Sequence, residues 1–103
     1  MTTADRYRVA ISPRAVRDLE EILNYVAAAS PERAAGLLGK LVSRIDSLAR
    51  TPLIHARAPQ SLRTRREVRQ AIERPFRIVF EVRGSTVNVL TVRHAARRPT
   101  NPG

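Results

Sequence analysis

Four side chains able to handle a negatively charged group crowd one stretch of the chain, RPFRIVFEVRGSTVNVLTVRHAAR: Arg77, Arg93, His94 and Arg97. Cleaving a phosphodiester by in-line attack of a 2′-hydroxyl needs a general base, a general acid and charge stabilisation at phosphorus. The arginines can supply the last and His94 one proton carrier; no candidate for the second carrier stands beside them. The same residues suit recognition, because arginine grips carboxylates and phosphates through paired N–H donors. They also suit a merely solvated sheet face. A second basic run, Arg63, Arg65, Arg66 and Arg69, is a further candidate surface for an acidic partner.

The rest of the inventory removes several chemistries. The 103 residues contain no cysteine, which excludes thiol nucleophiles, disulfides and thiolate metal sites. The two histidines, His55 and His94, form neither H-x₃-H nor HExxH spacing, so no metal is expected. No glycine-rich phosphate loop and no G-x-S-x-G elbow occurs, and no cofactor is expected. Net charge is +10, with eighteen arginines and one lysine. Residues 1–50 hold eight bases and six acids, residues 51–103 eleven bases and three acids. The positive field therefore belongs to the C-terminal half, where an acidic partner should dock.

The elements that must position these residues are legible from periodicity. YRVAI (7–11) alternates Tyr7, Val9 and Ile11 as a strand. Ser12–Pro13 is a helix start, Ser as N-cap and Pro in the first turn, followed by Val16, Leu19, Ile22, Leu23 and Val26 on one stripe over about 13–28. Ser30–Pro31 repeats the signal before Leu37, Leu38, Leu41, Val42, Ile45 and Leu48, and Thr51–Pro52 ends that helix. So short a turn predicts an antiparallel helical hairpin. Residues 52–65 read as an irregular loop, 67–72 as a strand with Val68, Gln70 and Ile72 on one face, and 76–82 as a strand. Gly84–Ser85 is the turn into VNVLTV (87–92). RRPTNPG reads as a frayed tail.

These elements predict one α+β domain over residues 1–103, with an ordered core of about 6–97: an N-terminal strand, an antiparallel helical hairpin, then a three-stranded antiparallel meander. One face of an antiparallel sheet should bury Val9, Ile11, Phe76, Ile78 and Phe80 under the hairpin, while the other stays open and charged. Tyr7 and Tyr25 read as core residues. Arg77 alternates with Phe76 and Ile78, so it is expected to face solvent and to be removable without opening the core. The opening residues lack a secretory signal, and no apolar run approaches the ~18 residues of a membrane span. A cytoplasmic protein is expected.

The order of these segments resembles the RelE/ParE superfamily of type II toxin–antitoxin toxins over about residues 7–97. The likeness rests on Ser12-x-x-Ala15 with Asp18-Leu19, Ile45-x-x-Leu48-x-x-x-Pro52, Phe76-Arg77-Ile78, and Val92-x-His94-x-x-Arg97. The resemblance implies one of two activities. RelE-like members are ribosome-dependent mRNA endonucleases with a basic catalytic cluster and often a C-terminal tyrosine. ParE-like members lack that cluster and inhibit DNA gyrase. Here the strand arginine of the RelE-like set falls near Ile72, the arginine after the last strand falls on Ala95, and no Tyr or Phe follows Phe80. The departures favour the ParE-like branch. If the chain is instead a nuclease acting on ribosome-bound mRNA, His94, Arg77, Arg93 and Arg97 are its candidate residues, and some superfamily RNases do use a C-terminal histidine. Either way the resemblance implies a cognate antitoxin, acidic or amphipathic, encoded by an adjacent gene and held in a toxin–antitoxin hetero-oligomer.

Overall fold

The computed structural model describes residues 6–58 and 66–95. The elements run β1 (Arg8–Ile11), α1 (Pro13–Ala29), α2 (Pro31–Ser47), a 3₁₀ turn (Pro52–Ile54), β2 (Glu67–Glu73), β3 (Phe76–Arg83) and β4 (Thr86–His94). This is the expected α+β arrangement. Ser12 caps α1 by accepting the Ala15 N–H at 3.1 Å. Ser30 accepts the Arg33 N–H at 3.2 Å to start α2, while its own N–H donates to the Val26 carbonyl at 2.9 Å to close α1. One residue therefore ends the first helix and begins the second.

The sheet order is β1-β4-β3-β2. The meander is antiparallel, but β1 pairs parallel to β4, Arg8 opposite Thr86 and Ile11 opposite Val89, which corrects the expectation of a wholly antiparallel sheet. The cause lies in the hairpin. Helix α2 brings the chain back to the level where β1 began, and the Ala49 carbonyl there accepts the Arg6 and Tyr7 N–H groups at 3.1 and 3.0 Å. A meander of three strands starting from that end must finish parallel to β1. Gly84 opens the β3–β4 turn at φ +59°, where a side chain would be strained.

The β3–β4 register slips once: Phe80 faces Val89 and Val79 faces Thr91, leaving Leu90 as an extra residue. The polar groups around this bulge are taken up by α1. Ser12 donates its hydroxyl to the Leu90 carbonyl at 2.9 Å. One oxygen of Asp18 accepts the Thr91 hydroxyl at 2.5 Å and the Val92 N–H at 3.0 Å. The Ser12 and Asp18 that mark the sequence pattern thus tie the first helix to a strand irregularity (a structural task).

On the hairpin side, Ala15, Leu41, Ile45 and Leu48 pack against Ala71, Phe76, Ile78, Phe80, Val87, Val89 and Val92. Truncating a side chain buried as Phe80 is typically costs about 3–5 kcal/mol. The opposite face is not open. Ala58, Val68 and Val79, with Leu90 against them, form a second small cluster, and β3 is buried from Phe76 to Glu81. Distant sequence contributes here: residues 56–58 pair along the β2 edge, with the Ala58 N–H donating to Val68 and the Gln70 N–H to Ala56 at 2.8 and 3.0 Å, and Ala58 joins that cluster. Several residues expected in the core lie outside it. Ile11 ends an edge strand and is exposed, Tyr25 is 83% exposed, and Val16, Leu38 and Val42 of the helix stripes are exposed as well, because each stripe is wider than the face its helix buries.

Candidate functional site

The four residues of the basic stretch do not converge. Register sets Arg93 directly opposite Arg77, and His94 opposite Phe76. The His94 ring meets Phe76 edge-on at 5.5 Å and 77°, on the hairpin side where Phe76 joins the core. Arg77 extends to the other face, where its Nη1 donates to the Gln70 Oε1 at 3.0 Å. Alternation along the strands places the one candidate proton carrier and the best-held guanidinium on opposite sides of the sheet. Arg97, Arg63 and Arg65 lie outside the described residues.

Arg77 is only 8% exposed, which corrects the expectation that it faces solvent. The alternation assigned it to the right face; that face is covered. Its Nε and Nη2 are buried and, among the described residues, have no acceptor. These two atoms form the edge of a guanidinium that clasps a carboxylate side-on. Leaving a buried donor unmet costs about 1–3 kcal/mol, more when the group is charged. A second arginine opposite adds like-charge repulsion.

Arg66 is the contrast on the same face. Its Nε and Nη2 each donate to a Glu81 carboxylate oxygen at 2.7 Å, holding the Glu81 pKa below its ordinary value, while burial pulls the other way. Arg66 is in turn raised by that hydrogen bond. Arg69 is taken up internally, with Nε on Glu67 at 2.9 Å and Nη1 on the His55 carbonyl at 2.5 Å, pinning the 3₁₀ turn to β2. His55 itself packs edge-on to Phe80 at 5.9 Å. Burial lowers its pKa first, with Arg44 and Arg69 adding to the shift.

Between the hairpin and the open end of the sheet runs a groove of about 1250 Å³. Its apolar floor includes Ile22, Val26, Leu37, Phe76 and Val92, and its rim carries Arg14, Arg33, Lys40, Arg74 and His94 against Asp18 and Glu21. The guanidinium and ammonium groups outnumber the two carboxylates, so the net charge of the rim is positive. Sequence reading missed this groove, because its two walls are far apart in the chain. It also missed the Arg66–Glu81 clasp and Gln70 as the holder of Arg77. Parity offered the signal: Arg77 and Glu81 share a strand face. Among the described residues no group of three or more His, Asp or Glu side chains could hold a metal ion, and no helix is long and apolar enough to cross a membrane.

A model of the family described as ParE toxin of type II toxin-antitoxin system, parDE, matches residues 9–99. Among solved structures, a chain from the chromosomal ParDE toxin–antitoxin system of P. aeruginosa is similar at TM-score 0.70 and 24% identity, over 88% of this chain and 98% of that one. A chain from the RelBE2 toxin–antitoxin complex of Mycobacterium tuberculosis is similar at TM-score 0.60 and 21% identity, over 92% of this chain and 98% of that one. At these identities the likeness is one of fold. A comparison with curated proteins finds no match.

Proposed function

The chain belongs to the ParE toxin family of type II toxin–antitoxin systems, and we propose that it acts by binding, as an inhibitor of DNA gyrase neutralised by a cognate antitoxin. The observation that carries this reading is the division of the basic stretch between two faces. Acid–base cleavage of RNA requires its proton carriers and its phosphate-stabilising cations around one phosphorus. Here His94 faces the hairpin groove and Arg77 the opposite side. A binding toxin makes no such demand, and a broad basic surface serves it.

The groove supports the partner assignment. An apolar floor with a positive rim suits an amphipathic segment bearing acidic residues, lying with its apolar side inward. A segment of that composition is largely disordered when free and orders on docking. The toxin and antitoxin together then form a hetero-oligomer in the cytoplasm.

Two experiments test the reading. Inducing the chain alone should arrest growth, and co-inducing the adjacent reading frame should restore it; equal growth in both cultures counts against a toxin. Purified chain should inhibit gyrase supercoiling, and induced cells should filament with an SOS response before bulk mRNA is lost. Rapid cleavage of ribosome-bound mRNA that disappears in His94→Ala would replace gyrase inhibition with the ribonuclease activity.

A further inference from the structure

The charges along the hairpin groove are sorted by element, and that sorting specifies the occupant. We infer that the antitoxin enters the groove as an amphipathic helix held in one rotational setting: its acidic flank meets Arg33 and Lys40 on α2, and a basic residue on its other flank meets Glu21 on α1. The inference rests on the antitoxin partner proposed above and deepens it.

Helix α1 borders the groove with Arg14, Asp18, Glu21 and Tyr25, spaced four, three and four residues apart and so on one stripe. Asp18 is fixed in place by its bonds to β4, whereas Glu21 is exposed. Helix α2 borders the groove with Arg33 and Lys40, both exposed, and with no carboxylate. Glu21 lies nine residues before Ser30 and Lys40 ten after it. At about 1.5 Å of rise per residue, the two stand at nearly the same level of the hairpin, one on each helix. Between Arg33 and Lys40, Gly36 leaves the α2 backbone open to close approach, with nothing within 4 Å of a Cβ placed there. Ile22, Val26 and Leu37 supply the apolar surface beside these charged stripes.

A segment matched to this pattern needs an apolar stripe with a flank of different charge on each side. A helix projects residues around its whole circumference and can carry all three. A strand has only two faces, and the apolar floor takes one of them. Arg33 and Lys40 are seven residues apart, about two helical turns, so acidic residues two turns apart on a partner helix lying along α2 match them. The reversed setting would put the partner's carboxylates against Glu21 and its cation against Lys40, and like charges at an interface are costly. Glu21 therefore works against wrongly set or uniformly acidic segments. A groove with cations alone could not make that discrimination.

The test measures the affinity of the full chain for the protein encoded by the adjacent frame, by titration calorimetry at low and high salt. Arg33→Glu and Lys40→Glu should each weaken the complex about three- to tenfold, and less at high salt. Glu21→Lys is decisive, because the two accounts of the groove differ in sign. A groove that only attracts acidic segments would bind more tightly once its rim became more positive. The sorted groove should instead lose about three- to tenfold, and reversing one basic residue of the antitoxin to Glu should restore the loss. All three residues are exposed, so the free variants should melt close to the wild type. Should Glu21→Lys alter the melt, Glu21→Gln carries the same sign. Tighter or unchanged binding by the Glu21 variant overturns the inference, as does a complex whose circular dichroism shows no more helix than its separate components. Tyr25→Ala trims the exposed aromatic of the same rim and separates the two levels. If it weakens binding and the Glu21 variant does not, the groove stands and the sorting fails. If it and all the charge variants leave affinity unchanged, the antitoxin docks elsewhere and both fail. If the adjacent-frame protein does not bind the wild-type chain, the antitoxin reading fails and takes this inference with it.

Discussion

Arg66 and Arg77 serve the same face of the sheet and differ in what meets them. Arg66 is half exposed, where a guanidinium is well hydrated anyway, yet it holds Glu81 through both donors of its side-on edge. Arg77 is buried, where an unmet donor is most costly, and among the described residues the same edge meets no acceptor. Folding stability alone would arrange these the other way round, with the clasp under cover and the unpaired arginine in water. The inverted arrangement makes the Arg66 pair part of the free protein's architecture and leaves the Arg77 edge as a cost that the rest of the fold offsets.

The comparison can be pressed by substitution, beginning on the hairpin side of the sheet. Asp18→Ala removes the acceptor of both the Val92 N–H and the Thr91 hydroxyl at the bulge. It should cost about 2–4 kcal/mol, a fall in Tm of roughly 8–32 °C at about 4–8 °C per kcal/mol, measurable by thermal melts. Glu81→Gln weakens the clasp while leaving Arg66 able to turn to solvent, so the expected loss is smaller, about 1–2 kcal/mol by urea unfolding. A loss as large as that of Asp18→Ala would mean Arg66 is trapped without its partner.

Acid should act in two stages. His55 has a depressed folded pKa, so its contribution is complete above the unfolded value of roughly 6.5 and declines as pH falls below it. Glu81, also depressed, contributes fully above its unfolded value of roughly 4.3 and is lost as pH drops through its lower folded value. Urea midpoints against pH should show both stages, with His55→Gln removing the upper and Glu81→Gln the lower. A single transition near pH 4 in the wild type would remove His55 from the account. The smallest expected effect belongs to Arg77→Gln in the free chain: no loss of Tm, or a rise of a few degrees. A drop comparable with that of Glu81→Gln would erase the contrast between the two arginines.

The sequence made the local elements plain and left the long-range ones hidden. Ser12–Pro13 and Ser30–Pro31 announce two helix starts because the capping chemistry is contained in four residues. Phe76, Ile78 and Phe80 announce a buried face because alternation is a property of one strand. Neither signal says whether the other face is covered, so Arg77 read as solvated although it is buried. The parallel β1–β4 pairing was hidden too, since it depends on where α2 returns the chain. As for the site, the basic stretch was visible, but its partition between two faces was not drawn from it, and the extra residue at Leu90 shifts the strand count on the way to Arg93 and His94.

Ser30, shared by both helices, has a consequence for docking. Its N–H and its hydroxyl oxygen each close a different helix, so the turn has no spare residue through which one arm could slide or splay without undoing a cap. The angle between α1 and α2 is then set before any partner arrives. A rigid receptor gives up little conformational freedom on binding, so the entropic penalty of association falls almost wholly on the incoming segment. Inserting two glycines after Ser30 would move part of that penalty back to this chain, slowing association and weakening the complex without removing a single contact from the groove.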